Sequence, residues 1–375
     1  MLEHIKSTQK LKSTIKDILK QEIILCDMFN SLVEVGKMDE ETLNHFRQKS
    51  GKPNLHQDEI IKLTKEEIMN NPYLRNIKVP NVTFNNFSLS NGRHIYAGTL
   101  AKYGYKRRNL NTMEQGNTYF VCDKNLRFPG LVEANSHTCW MSAEPSEFYS
   151  FESFIRKARG NVLLIGCGIG YVAYMLSRKD DVKSITIIDN SYDVLELFIN
   201  HILPQFEYPE KISVINDDGI KFLKENDINK FDYINVDIWY DVCDMIYPYL
   251  DCLEIERENP NVHFSYWLEE ELKENIQKSI LGAIGDFEFN NLIASQIGKD
   301  IVENVKPHTY REIYDLVNID NIRNFLYTWY INNKGTVEEF KIRDMKIIAD
   351  LQGQTNDLTS KSNRYMKTLG SYRRL

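Results

Sequence analysis

The 375-residue chain is short of the features that mark metal, membrane and export classes. Its six cysteines (Cys26, Cys122, Cys139, Cys167, Cys243, Cys252) are scattered, with no Cys-x-x-Cys pair. That spacing offers no zinc ribbon and no disulfide framework, and His137 beside Cys139 does not make a metal site. Reduced, buried thiols in a cytoplasmic protein are expected. Long apolar runs are absent: Ile23–Cys26 and Val162–Ile165 are among the longest. A membrane-spanning helix needs about 18 such residues, so no membrane association is expected. The lysine-rich start, MLEHIKSTQKLKSTIKDILKQE, lacks the apolar core of a signal peptide. There is no excess of positive charge either. Lys and Arg total 46 against 53 Asp and Glu, a formal charge of −7, and the pI is near 5.7. A nucleic-acid partner is therefore not expected. No Walker-type Gly-Lys-Ser/Thr and no nucleophile-elbow serine appears.

What is present suggests about two domains' worth of ordinary globular sequence. Residues 1–78 read as an N-terminal helical region. Leu11, Ile15, Ile18, Leu19 and Ile23 recur at helical spacing, and Thr64-Lys65-Glu66-Glu67 has the form of a capping box. These N-terminal helices are the expected place for a homodimer contact. Residues 79–150 are dense in Gly, Asn, Tyr and Phe with closely spaced turn signals, and read as a β-rich segment. Residues 151–260 alternate strands and helices, which predicts right-handed crossovers and a parallel sheet. Strands are predicted at Val162–Ile165, Ser184–Ile188, Ile212–Ile215 and Tyr233–Val236. Residues 261–375 return to a helical pattern, with Trp267–Ile280 and Val337–Leu351 its clearest pieces, although His263–Trp267 also reads as a further strand or a lid.

The strongest chemical signal is the run from Val162 to Gly170, VLLIGCGIG. A buried strand enters a glycine-rich turn (Gly166, Cys167, Gly168, Gly170) and then a helix, so a ligand can lie against bare backbone and meet the free N–H groups of the helix start. Asp189, followed by Asn190, closes the second strand, 19 residues beyond Gly170. A carboxylate there can accept both hydroxyl protons of a ribose, or cap the following helix. Asp217, Asp218 and Gly219 close the third strand, where a carboxylate can accept the exocyclic amine of an adenine, or again act as a cap. The bend and these carboxylates are expected to border one pocket. A dinucleotide fingerprint would read Gly-x-Gly-x-x-Gly directly after the strand; the pattern here is Gly-x-Gly-x-Gly, which suits a single nucleoside carrying an amino-acid tail.

On these residues the chain resembles the class I S-adenosylmethionine-dependent methyltransferases. Gly166–Gly170 is similar to their first motif, Asp189 to the acidic second, Asp218-Gly219 to the adenine-side motif, and Phe231–Asp237 to the fourth, a strand ending in an acid beside the reacting centre. The resemblance implies an α/β, Rossmann-like sheet, S-adenosylmethionine as cofactor, and catalytic roles for Asp237 and Tyr240. Tyr240 and Trp239 would wall the acceptor or the sulfonium. A narrower similarity is to the spermidine-synthase branch, carried by Ile215–Leu223, Phe231–Ile234 and Val236-Asp237. That branch has an aspartate at the position of Ile169, which helps to hold the aminopropyl amine, and a proline-containing loop where this chain runs Asp237-Ile238-Trp239-Tyr240. The expected function is methyl transfer from S-adenosylmethionine to a small molecule. The alternatives are transfer of an aminopropyl or aminocarboxypropyl group, and S-adenosylmethionine binding without turnover. The segment Trp140–Glu147, just ahead of the first sheet strand, is expected to fold over the cofactor and bring Glu144 or Glu147 to an amine-bearing acceptor.

Overall fold

The computed structural model describes residues 12–17, 19–20, 60–98, 100–109, 114–133, 139–240, 242–286, 292–307 and 309–342. Expectations placed on Ile18, Ile23, His137 and the end of the helix 337–351 fall outside these residues.

Among the described residues, seven strands lie ahead of the main sheet: β1 (Ile60–Leu63), β2 (Val82–Phe84), β3 (Phe87–Ile95), β4 (Leu100–Asn109), β5 (Glu114–Cys122), β6 (Leu126–Glu133) and β7 (Cys139–Ser142). They form a three-stranded sheet, β1-β5-β4, and a four-stranded antiparallel sheet, β2-β3-β6-β7. The β-rich part therefore starts earlier than the sequence suggests. β1 lies within the stretch read as helical, pairing in parallel with β5 from Ile60↔Tyr119 to Leu63↔Cys122. The capping box at Thr64 is real and follows β1 directly, with the Thr64 N–H donating to Glu67 at 2.7 Å. It starts a helix of only five residues.

The main sheet follows: β8 (Gly160–Ile165), β9 (Val182–Asp189), β10 (Ile212–Asn216), β11 (Tyr233–Val236) and β12 (His263–Tyr266). All its pairings are parallel, in the spatial order β10-β9-β8-β11-β12. The sheet thus extends past residue 260, because β12 covers the edge of β11 that four strands would leave open. β8 shows why the central run is continuously apolar. Val162 and Leu164 face one buried cluster with Phe151 and Tyr174, while Leu163 and Ile165 face another with Tyr249 and Leu250. Alternating side chains pointing to two covered faces leave no polar position between Val162 and Ile165.

The helices Glu269–Ile284, Leu292–Val305 and Ile319–Asn332 cover the second face. Ile15 and Leu19 of the N-terminal helix are buried in the same cluster, so these two residues of the proposed dimer stripe pack within the chain. Arg323 ties the extension to the sheet, 2.9 Å from both Glu256 and Glu269. Tyr266 at the end of β12 donates to Glu256 (2.9 Å), and Tyr249 to Glu269 (2.6 Å). Among the described residues no helix is long and apolar enough to cross a membrane.

Candidate functional site

The strand order fixes where a site can form. The chain winds outward from β8 through β9 to β10, then returns to the other side of β8 as β11. Ligands bind at such a switch point, outside the carboxyl ends of the strands. Ile165 and Val236 are register partners there, so the next residues, Gly166 and Asp237, emerge side by side. A Cβ on Gly166 would overlap the main-chain oxygen of Asp237, and one on Gly168 would overlap the sulfur of Met141. These glycines let two loops and a side chain close on the bend.

Asp189 secures the bend from behind. Its Oδ2 accepts from the Cys167 N–H (2.9 Å) and its Oδ1 from the Ser191 N–H (2.8 Å). Burial raises its pKa, and these two hydrogen bonds act against the rise. The cap of the following helix is Ser191, whose hydroxyl accepts from the Val194 N–H. Asn190 is exposed at the rim. Asp218 serves as a cap: its Oδ1 accepts from the Lys221 N–H at 2.8 Å. Asp217 accepts from the Asp218 N–H (2.9 Å) and meets Lys221 Nζ at 3.5 Å. Gly219 is buried against Ile165.

The cleft at the switch point is lined by Gly166, Cys167, Gly168, Met141, Phe151 and Asp237, among others, and Asp189, Asp217 and Asp218 do not contribute to its lining. Its free volume is about 30 Å³, room for about one water. Met141 takes up part of this space. β7 places it over the bend, where its sulfur accepts from the Ile169 N–H at 3.1 Å. The segment expected to fold over the cofactor therefore lies on the bend itself.

Asp237 is pushed up to about 7, by burial first and by Asp189 second. Glu147 lies in the first turn of the helix Pro145–Lys157 and is raised well above the ordinary carboxylate range. Burial is the main cause, followed by Asp237, Glu144 and Glu271. Glu144 is matched by Arg93, 3.1 Å away. Tyr240 is exposed, with its backbone N–H donating to Asp244, and it lies near enough to Arg93 to bear on its charge. Trp239 is buried and donates to the Trp267 carbonyl at 3.0 Å, so it packs the wall and does not face the cleft. Arg93 and Glu271 were not foreseen from sequence. They come from β3 and from the acidic start of the helix Glu269–Ile284, where no motif marks them.

A five-stranded parallel sheet in this order, with a glycine bend after its first strand and acids closing the next ones, is the class I S-adenosylmethionine-dependent methyltransferase-like fold. Within it, the spermine/spermidine synthase domain profile matches residues 149–246. A polyamine aminopropyltransferase of Hydrogenobaculum sp. (strain Y04AAS1) is 28% identical over 154 residues, which is 39% of this chain and 51% of the relative. Another, from Prochlorococcus marinus (strain MIT 9301), is 25% identical over 108 residues, 26% of this chain and 38% of the relative. The chain thus spans about half or less of the length of these curated relatives. Among solved structures, the Trypanosoma brucei PRMT1 enzyme–prozyme heterotetrameric complex with AdoHcy aligns at 21% identity, with a TM-score of 0.25, over 32% of this chain and 37% of that one.

Proposed function

We propose that the chain moves an aminopropyl-type group from a decarboxylated S-adenosylmethionine-like sulfonium to an amine. The observation that carries this reading is Asp237, held beside the glycine bend at the switch point with a pKa near 7. An amine nucleophile must lose a proton to attack. Asp237 accepts that proton as the nitrogen bonds to the methylene carbon next to sulfur. The carbon–sulfur bond breaks with its electron pair going to sulfur, and a neutral thioether nucleoside leaves. Because the sulfonium is already an activated donor, alignment and proton removal are the protein's main tasks.

Charge bears on the donor. Asp237 is the acid that lines the cleft, and among the described residues no Lys or Arg lines it. A donor with a carboxylate on its tail meets repulsion there, while a decarboxylated donor, positive at sulfur and at nitrogen, is attracted. The profile match over residues 149–246 spans both the bend and Asp237 and supports the same reading. Methyl transfer from S-adenosylmethionine is the second reading. It is favoured by Ile169, an apolar residue on the bend whose side chain is fully buried in the core.

Calorimetry with the two donors, followed by product analysis with a diamine acceptor, separates these readings. Tighter binding of decarboxylated S-adenosylmethionine, with release of methylthioadenosine, is expected. Tighter binding of S-adenosylmethionine with release of S-adenosylhomocysteine would give the site to methyl transfer. Met141→Ala should strengthen binding of methylthioadenosine, by about threefold to tenfold, because the ligand no longer has to displace a side chain from the bend. Unchanged affinity in that titration would show that Met141 does not occupy the ligand's place.

A further inference from the structure

The loop that leaves β11 with Asp237 holds no proline before Val242, so no ring stiffens its backbone. A side chain behind the cleft ties it down instead. Trp239, two residues after Asp237, is buried and donates its indole N–H to the Trp267 carbonyl at 3.0 Å. Trp267 follows β12 directly. Its own backbone N–H donates to the carbonyl of Val236, the residue before Asp237, at 3.0 Å. Its indole N–H donates to Ser150 Oγ at 3.1 Å, and its ring lies nearly parallel to that of Phe151, at 12° and 6.4 Å between centres. Phe151 and Asp237 both line the cleft. Trp267 thus joins the end of β11, the loop that carries the acid and the helix Pro145–Lys157. It also packs against both apolar clusters, one on each face of the sheet.

Trp267 is held there against strain. Leu268, the next residue, has a φ of +61°, a left-handed conformation uncommon for leucine. Such a residue persists where its surroundings over-determine it, and functional sites are where such residues cluster. Here Glu269 accepts from the Tyr249 hydroxyl at 2.6 Å and meets Arg323 at 2.9 Å, while the Leu272 N–H donates to the Leu268 carbonyl at 3.0 Å. These bonds pin the start of the helix Glu269–Ile284, and the turn at Leu268 keeps Trp267 against Ser150 and Phe151.

We propose that Trp267 is a positioning residue: through Trp239 on one side and through Ser150 and Phe151 on the other, it sets how Asp237 stands to the opposite wall of the cleft. Its effect on turnover rests on the transfer reading above; its bracing of Asp237 does not. A reacting group displaced by about 1 Å can cost about 10²-fold in rate, so a brace of this kind acts on the chemical step more than on binding.

The test uses the full chain with Trp239→Phe and Ser150→Ala. The first keeps an aromatic ring in the wall and removes the bond to the Trp267 carbonyl. The second changes an exposed helical residue and removes the bond to the Trp267 indole. Denaturant unfolding is measured at pH 4 and pH 8. A loosened loop lets water reach Asp237, which relieves its ionised form at pH 8 and does nothing for its neutral form at pH 4. Asp189, Glu147 and the Cys167 thiol, the titratable groups around Asp237, are the same in all three proteins. Trp239→Phe should therefore lose more stability at pH 4 than at pH 8. With decarboxylated S-adenosylmethionine and 1,3-diaminopropane, its kcat should fall by about tenfold to a hundredfold, with KM within about twofold of wild type. Ser150→Ala should move kcat the same way by less, with an unchanged melting temperature. An equal loss of stability at both pH values, which is what a purely structural role gives, or a wild-type kcat in Trp239→Phe overturns the proposal. If the wild type turns over neither this donor nor S-adenosylmethionine, the transfer reading fails, and the comparison at two pH values still decides whether Trp267 positions Asp237.

Discussion

Asp237→Asn should remove turnover while making the unliganded protein more stable above pH 7. Loss of a positioned general base slows transfer by about 10²–10⁴-fold. The stability effect has the opposite sign. The folded pKa of Asp237 is raised from 3.8 to about 7, so the folded chain holds this proton more tightly than the unfolded chain does. Between these values the unfolded chain has released the proton and the folded chain has not. Stability therefore falls as pH rises through that window and levels off above it. The shift corresponds to about 4 kcal/mol at most, and contact with water in the cleft reduces it. Asparagine carries no charge at any of these pH values and escapes the loss. Denaturant unfolding of both proteins at pH 4 and pH 8 measures the effect: near-equal stability at the lower pH and a more stable variant at the higher. Equal stability at pH 8 would mean that Asp237 is well solvated, and full turnover by the variant would exclude it as the base. A bound alkylammonium stabilises the carboxylate, so the wild type should recover part of the difference when the amine is present.

The parts of the fold legible in the sequence are those where a local pattern carries the physics. β8 falls where the continuous apolar run Val162–Ile165 places it, because a strand covered on both faces favours apolar side chains, and β11 follows from the short segment Tyr233–Val236 even though it buries Asn235. The glycine bend was legible because three glycines at alternate positions have few other uses. Asp237 was legible as the acid closing a strand beside that bend. β1 was not, because four residues before a capping box look like the approach to a helix, and only the distant partner β5 makes them a strand. β12 was ambiguous for the same reason: its single neighbour, β11, lies about thirty residues back. The functions of Asp189 and Asp218 were left open between ligand and cap. Asp218 holds a cap bond, whereas Asp189 stitches the bend to β9, an option that requires knowing how close Cys167 comes. Arg93 meets Glu144, and Glu271 acts on Glu147, only through tertiary packing.

Gly166→Ala is the substitution expected to harm the fold most, and its contrast with Gly168→Ala shows which part of the bend is rigid. Both residues have positive φ, +101° and +51°, where an alanine costs about 1–2 kcal/mol. They differ in what the new methyl group meets. At Gly168 it meets the thioether of Met141, the mobile end of a flexible side chain that can swing away. At Gly166 it meets the main-chain oxygen of Asp237. That oxygen has little freedom, since the Asp237 N–H donates to the Ile165 carbonyl and the Gly166 N–H to the Ile188 carbonyl, each at 2.8 Å. Relief at 166 must therefore separate the loops at the ends of β8 and β11, the two strands that form the switch point. We expect Gly166→Ala to cost about 3 kcal/mol or more and to abolish nucleoside binding, and Gly168→Ala to cost about 1 kcal/mol and leave a folded protein. Parallel melts and methylthioadenosine titrations make the comparison. If the two variants lose the same stability, the close approach of Gly166 to Asp237 is not what holds Asp237 against the bend.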